Sequence, residues 1–240
     1  MSNLLPTGVV KATRTDPRII IFYGPPKIGK TTKVAELPNN LILDGEKGTE
    51  LIDAQKIPVN SISGPTIKKE DGTVVNTSID SVIAEIEAIG IAEYKKTGKL
   101  PKPPFKYITI DTIDKLEEFA EVTATQKYKQ STIGKTFTGN SVLELPNGAG
   151  YYHLRNEVLL YIDKLTAVCE HLIIISHIRE KNINKGGIDV SVTDISLTGR
   201  LGALVCAKAD VIGYVYRESS SKPLMVSFET LENNVMGARI

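Results

Sequence analysis

The first residues whose types and spacing point to chemistry form a glycine-rich segment near the amino terminus. This segment, Gly-Pro-Pro-Lys-Ile-Gly-Lys-Thr, fits the pattern G-x-x-x-x-G-K-[ST]. In such a loop, backbone N–H groups surround phosphate groups, the lysine neutralises the terminal phosphates and the hydroxyl coordinates Mg²⁺. We therefore predict a nucleotide site, with Lys30 on the phosphates and Thr31 on the metal. The predicted nucleotide-binding residues are Gly24, Pro25, Pro26, Lys27, Ile28, Gly29, Lys30, Thr31 and Thr32.

A carboxylate must help hold that metal, and Asp111 is the candidate. It ends the apolar segment Tyr107–Asp111, which is typical of a strand whose last residue coordinates Mg²⁺ in phosphate-loop proteins. The alternative interpretation is a helix N-cap, because aspartate is common where a strand passes into a helix. Asp114 is available for that cap instead. The predicted cofactor is Mg²⁺ bound together with ATP.

Short apolar segments alternate with longer segments of helical periodicity, and this alternation positions the candidate residues. The predicted strands are 19–23, 40–44, 107–111, 172–176, 190–197, 210–217 and 224–229, and the predicted helices are 29–37, 78–96, 113–129 and 151–170. Residues 45–77 and 131–150 are expected to be irregular. The pattern indicates an α/β fold with a mainly parallel twisted sheet, helices on both faces and antiparallel strands at the C-terminal edge.

Composition excludes several classes of protein. The 240 residues carry 29 Lys and Arg against 28 Asp and Glu, a net charge of +1, which excludes a uniformly basic nucleic-acid coat. Two cysteines cannot build a disulfide scaffold. The longest apolar runs are strand-sized, whereas a membrane-spanning helix needs about 20 apolar residues. We expect a cytoplasmic protein with no membrane partner, and one domain over residues 1–240 in which residues 1–18 form an extended arm.

Two further segments, taken with the phosphate loop and the Asp111 strand, resemble the RecA-like ATPase core. Leu-Asp-Gly-Glu follows the second strand, and Ile-Ser-His-Ile-Arg-Glu-Lys ends a later one. The resemblance implies that Glu46 activates the attacking water and that His177 senses the γ-phosphate. Asp44 competes with Glu46 for the first role. His177 stands where the family usually has glutamine, and its alternative is a structural polar residue at a strand end.

The chain is also similar to small phage ATPases of the RecA-like single-strand annealing type. The similarity covers residues 19 to 217 and includes the segment that begins at Lys208. It implies a phage-encoded protein in the host cytoplasm whose partners are ATP, single-stranded DNA, further copies of itself in a head-to-tail ring or filament, and a single-strand binding protein. In RecA-like assemblies a cation from the neighbouring subunit completes the ATP site, and Lys208 and Arg239 are the candidates. As alternatives, Lys208 is a surface lysine and Arg239 a frayed terminus.

Two segments are candidates for DNA contact, since lysines and aromatic rings in glycine-rich loops suit single-strand phosphates and bases. They are residues 125–150 and 180–192, and the candidate residues are Lys127, Lys129, Lys135, Arg179, Lys181 and Lys185. The alternative is that both are simply solvated loops. Two rival functions also remain open. One is a DNA-binding or annealing module with nucleotide as a structural ligand, and the other is a phosphate-loop kinase for a small molecule.

Overall fold

The computed structural model describes residues 8–185, 188–219, 222–229 and 237–238 of the chain, with the backbone alone within 181–191. The strands are β1 (Ile19–Tyr23), β2 (Asn40–Asp44), β3 (Gln55–Ser61), β4 (Ile67–Lys68), β5 (Val74–Ser78), β6 (Tyr107–Asp111), β7 (His171–Ser176), β8 (Ile178–Lys185), β9 (Ile188–Ile195), β10 (Val211–Tyr216), β11 (Met225–Ser227) and β12 (Gly237–Ala238). The α-helices are α1 (Lys30–Ala35), α2 (Ile79–Thr97), α3 (Ile113–Gln130), α4 (Ala149–Ala167) and α5 (Leu201–Lys208).

Within the described residues, ten strands form one sheet in the order β11-β10-β1-β7-β6-β2-β3-β5-β4, with β12 also paired to β10. The seven strands from β10 to β5 in that order run parallel. Strands β4, β11 and β12 are antiparallel additions, so they occur at both edges and not only at the C-terminal one. The predicted α/β class with a mainly parallel sheet is confirmed. Strand β7 lies between β1 and β6, so the phosphate loop and Asp111 flank the end of β7.

Alternate residues of the central strands belong to two separate apolar layers, because successive side chains of a strand point to opposite faces of the sheet. On one face, Ile21 and Ile174 pack with the apolar sides of α2, α3, α4 and α5. On the other face, Ile173 and Ile175 pack with Val34 of the short helix α1. Both faces of these strands are therefore buried, which explains why they appear in the sequence as continuous apolar runs.

The expectation of irregular structure in residues 45–77 was wrong. Strands β3, β4 and β5 lie there and extend the sheet beyond β2. Their side chains are mostly exposed or half-buried, and Val59 is the one buried residue of β3, so no apolar alternation marks them in the sequence.

The segment after β7 also differs from expectation. Residues 180–185 and 188–192 belong to the antiparallel hairpin strands β8 and β9 rather than to a loop. The letters of β8, IREKNINK, are too polar to show strand periodicity. Helix α5 was missed as well, because its eight residues are apolar around nearly the whole helix and carry no amphipathic period.

Residues 131–148 connect α3 to α4 without long regular elements, as expected, but they are well organised. Three short 3₁₀ helices lie at Gly134–Thr136, Val142–Glu144 and Pro146–Gly148. Val142 and Leu145 are buried against Ala124 of α3. The Val142 N–H also donates to Thr125 Oγ1 at 2.8 Å, so the connection packs on the helix rather than extending freely into solvent.

Candidate nucleotide-binding and catalytic site

The phosphate loop connects the end of β1 to the start of α1, and two of its glycines are required by geometry. A Cβ at Gly24 would lie 2.3 Å from the carbonyl oxygen of Val215, and Gly29 has a φ of 108° in the left-handed region. Lys30 follows at the first position of α1 and is buried. Its Nζ donates to the carbonyl oxygens of Gly24 and Pro25, each at 2.8 Å.

The charge of Lys30 is balanced by the carboxylates around it. Burial lowers the pKa of Lys30, while Asp111, Glu46 and Asp114 act in the opposite direction. The ammonium thus lies between the loop carbonyls and a group of acidic side chains. A ligand that carries several negative charges would replace part of the stabilisation that the ammonium loses with its hydration water.

Thr31 and Asp111 meet at the mouth of the loop. The Thr31 hydroxyl donates to Asp111 Oδ2 at 2.9 Å. Burial raises the pKa of Asp111 to about 6, against the lowering effect of the Thr31 hydrogen bond. A hydroxyl and a buried carboxylate are oxygen donors of the kind that Mg²⁺ prefers, so the pair fits the implied ion. The alternative N-cap role for Asp111 is wrong, since the residue at the N-cap of α3 is Thr112.

Glu46 and His177 come together although 131 residues separate them. Glu46 Oε1 lies 3.0 Å from His177 Nε2 and accepts a hydrogen bond of 2.8 Å from the Thr112 hydroxyl. About a third of each side chain is exposed, 32% for Glu46 and 29% for His177. His177 Nδ1 is buried and has no hydrogen-bond partner among the residues that the structure describes. The main chain at this point is also fixed, because the His177 N–H donates to Asp114 Oδ2 at 3.3 Å.

Asp44, the competing carboxylate, is committed to the backbone of its own loop. It is buried and accepts hydrogen bonds from the N–H groups of Glu46, Gly48 and Thr49. The Thr49 hydroxyl adds a fourth bond of 2.5 Å. Asp44 therefore shapes the turn that presents Glu46.

The phosphate loop and the candidate side chains around it line one cleft of ≈ 330 Å³ at the carboxyl edge of the sheet. Its walls include Lys30, Thr31, Glu46, Asp111 and His177. A larger cleft of ≈ 410 Å³ lies on the other side of the same turn and is lined by Lys47, Lys56 and Lys69 among others. Only the smaller of these two clefts brings the phosphate loop, the two carboxylates and the histidine together, so it is the candidate site.

Comparison with protein families agrees with this geometry. A family model described as AAA domain matches residues 16–239, which is nearly the whole chain. The chain belongs to this AAA-domain family. A comparison with curated proteins found no significant match. Membership indicates a phosphate-loop ATPase, with nucleotide binding and hydrolysis as its general activity.

Lys208, one of the two candidates for a cation from a neighbour, lies near the amino edge of this AAA-domain sheet. Lys208 ends α5, and Asp210 just after it accepts the N–H of Ile19 at the amino end of β1. Lys208 Nζ pairs with Asp163 Oδ1 of α4 at 2.5 Å. Arg239 lies outside the described residues, and Ala238 before it pairs with Val211 at the amino end of β10. The five residues of β1, about 16 Å in length, separate Ile19 at this edge from the phosphate loop.

The candidate DNA-binding residues of this AAA-domain protein differ in the contacts that their side chains make with other residues. Lys127 is paired with the buried carboxylate of Glu157 in α4. Lys129 lies 5.9 Å from the centre of the Phe137 ring, and Lys135 is exposed in the first 3₁₀ helix. Lys181 and Lys185 belong to β8, and their side chains lie outside the described part of the chain.

Arg179, at the start of the hairpin, lies close to Glu117 of α3. Burial raises the pKa of Glu117, hydrogen bonds from Thr198 oppose the shift, and the charge of Arg179 opposes it further. Arg179 Nε is itself buried without a hydrogen-bond partner in the described residues. Arg179 is therefore a candidate DNA contact whose positive charge also acts on Glu117 of α3.

The residues that follow the hairpin lie against α3 and the start of α4. Gly199 follows the hairpin, and a Cβ built there would lie 3.9 Å from Tyr151 Cδ1 at the start of α4. The Thr198 N–H donates to Glu117 of α3 at 3.1 Å.

None of the helices that the structure describes has the length and apolar composition of a membrane-spanning helix.

Sequence reasoning missed Arg217 at this site. It follows β10, on the other side of β1 from β7, and its Nε lies 3.4 Å from the carbonyl oxygen of Ile28 in the phosphate loop. Nothing in the local sequence sets Arg217 apart from other arginines, because its approach to the loop depends on the pairing of β10 with β1.

Proposed function

We propose that this AAA-domain protein is a RecA-like ATPase of phage type that hydrolyses MgATP, binds single-stranded DNA and promotes annealing or recombination. The observation that carries the proposal is the convergence of Lys30, Asp111, Glu46 and His177 on one cleft at the phosphate loop. The four residues come from four different elements, and each lies at the carboxyl edge of the parallel strands, where ligands bind in open α/β sheets.

The roles follow from the chemistry of each group. Lys30 neutralises the terminal phosphates, and the amides at the start of α1 add positive potential. Thr31 and Asp111 would hold Mg²⁺, and the ion would supply positive charge next to the phosphate groups. Glu46 accepts the proton of the attacking water. His177, hydrogen-bonded to Glu46, adjusts the position of that carboxylate when the γ-phosphate is present.

Coupling to DNA is supported by the chain connections around His177. The hairpin of β8 and β9 begins at Ile178, directly after His177, and α3 begins directly after Thr112. The Thr112 hydroxyl donates a hydrogen bond to Glu46 Oε1, and His177 Nε2 lies 3.0 Å from the same oxygen. A shift of the hairpin on DNA would therefore move His177 through the main chain, and His177 would move Glu46 through their hydrogen bond.

The test is ATP turnover by the purified protein with and without single-stranded DNA, beside the Lys30→Ala variant. We expect turnover that rises with DNA and disappears in Lys30→Ala. Normal turnover in Lys30→Ala would overturn the site assignment. ATP binding with negligible turnover would support the annealing module with a structural nucleotide, and phosphate transfer to an added small molecule would support the kinase.

A further inference from the structure

The side of the phosphate loop that faces β10 carries residues to which the proposed chemistry gives no role. Asp111, Glu46 and His177 all lie on the β7 side of β1. On the opposite side, Arg217 Nη1 donates to the carbonyl oxygen of Lys222 at 2.6 Å, while its Nε faces that of Ile28. A Cβ at Gly29 would lie 3.7 Å from both Arg217 Nη2 and Leu224 Cδ2.

A small apolar groove opens next to this side of the loop, between α1 and strands β10 and β11. Its volume is ≈ 150 Å³, and Lys30 connects it with the phosphate loop. The apolar side chains that line it are Phe22, Val34, Leu37, Val215, Leu224 and Val226. Pockets for whole ligands measure roughly 300–1,000 Å³, so this groove suits one ring-sized part of a ligand.

The direction of a bound nucleotide follows from its charge. Its terminal phosphates belong with Lys30, Thr31 and Asp111, on the β7 side of the loop. Lys30 lines both the cleft of the candidate site and the apolar groove, so a nucleoside that extends from the phosphates away from the carboxylates would meet Leu224 and Arg217. A planar guanidinium stacks on aromatic rings, and a leucine offers an apolar surface to the same rings.

We propose that Arg217 and Leu224 hold the base of the bound nucleotide, with Arg217 stacked on the ring. This inference rests on the proposed nucleotide site and adds the position of the nucleoside to it. Stacking uses the face of the ring and not its hydrogen-bonding edges, so adenine and guanine nucleotides are both accepted.

The experiment compares the binding of ADP, GDP and inorganic pyrophosphate, each with Mg²⁺, by calorimetry. Pyrophosphate fills the phosphate loop but has no base. We expect Arg217→Gln to weaken ADP and GDP binding about tenfold, in line with the loss of one stacking contact, and to leave pyrophosphate binding unchanged. Leu224→Ala should act in the same direction.

The matched control is Lys222→Ala, which keeps the main-chain carbonyl that Arg217 binds and removes a mostly exposed side chain. It should bind all three ligands like the wild type. Pyrophosphate binding weakened as much as ADP binding would mean that Arg217 supports the phosphate loop, and this would overturn the inference. Unchanged ADP binding in Arg217→Gln would overturn it too. If wild-type protein bound neither ADP nor pyrophosphate, the proposed nucleotide site itself would fail.

Discussion

Glu46 Oε1 lies 3.0 Å from His177 Nε2, so the turn after β2 and the end of β7 are joined by side chains directly beside the phosphate loop. Thr112 donates to the same oxygen at 2.8 Å. Two donors on one carboxylate oxygen fix its direction and leave Glu46 Oε2 to accept a proton. This arrangement is the reason why Glu46, and not Asp44, is proposed as the general base.

The first prediction concerns Glu46→Gln, which retains the size of the side chain but cannot accept a proton. We expect ATP affinity to stay and kcat to fall by roughly 10²–10⁴-fold, the usual contribution of a general base. Single-turnover measurements with labelled ATP separate the two effects. Glu50→Gln, an exposed residue of the same turn, is the control and should leave kcat unchanged. Full turnover in Glu46→Gln would remove it from the mechanism.

The second prediction concerns Asp44, which shapes the turn that carries Glu46. Asp44→Ala removes an acceptor of four hydrogen bonds in a buried position. We expect the free energy of unfolding to fall by about 3 kcal/mol, because hydrogen bonds to a charged group are strong and their loss leaves buried donors unpaired. Urea denaturation measures the change, and Asp53→Ala, at an exposed position, is the control. An unchanged unfolding midpoint together with lost turnover would instead favour Asp44 as the base.

The sequence predicts the centre of this fold better than its edges. Strands such as Ile19–Tyr23 and Tyr107–Asp111 are buried on both faces, so their apolar runs stand out, and the phosphate loop between β1 and α1 has a strict spacing. Strand β3 and the hairpin strand β8 have mostly polar or exposed residues and show no such signal. Contacts between residues far apart in the chain could not be predicted from the sequence either. The ion pair of Lys208 with Asp163 and the approach of Arg217 to Ile28 depend on how α5 and β10 pack.

The third prediction concerns DNA and salt. If Lys129 and Lys135 contact phosphates, replacing both by alanine should flatten the slope of log affinity against log salt by about 1.4, at about 0.7 for each contact. Replacing Lys181 and Lys185 together should act alike if the hairpin contacts the strand. Fluorescence anisotropy with a labelled oligonucleotide measures the slope at several salt concentrations.

Lys127 should behave differently from these lysines, because its partner Glu157 is buried. Lys127→Ala leaves that carboxylate unpaired, so it should lower the free energy of unfolding more than it changes the salt slope. Lys95→Ala with Lys96→Ala, in the last turn of α2, is the control pair for lost surface charge. A slope that falls equally in the control pair would mean general electrostatic attraction and not these contacts.

The last prediction is that neighbouring subunits share one ATP site. Lys208 lies at the amino edge of the sheet and the phosphate loop at the carboxyl edge, so Lys208 reaches an ATP site only if subunits stack head to tail. Such a donated cation raises turnover by about 10³–10⁵-fold in related phosphoryl-transfer sites. We therefore expect Lys208→Ala to be nearly inactive, and wild-type turnover per subunit to rise with protein concentration as the assembly forms.

Mixing two inactive variants tests this geometry directly. Glu46→Gln lacks its own base, and Lys208→Ala lacks the cation for its neighbour. In a mixture, some interfaces place an intact Lys208 against an intact Glu46 site, so part of the activity should return. Asp163→Asn releases Lys208 from its ion pair without removing its charge, and it should stay active alone. The same mixing with Arg239→Ala decides between the two candidate cations. If the Lys208→Ala and Arg239→Ala mixtures both co-assemble and both stay inactive, the shared site is wrong.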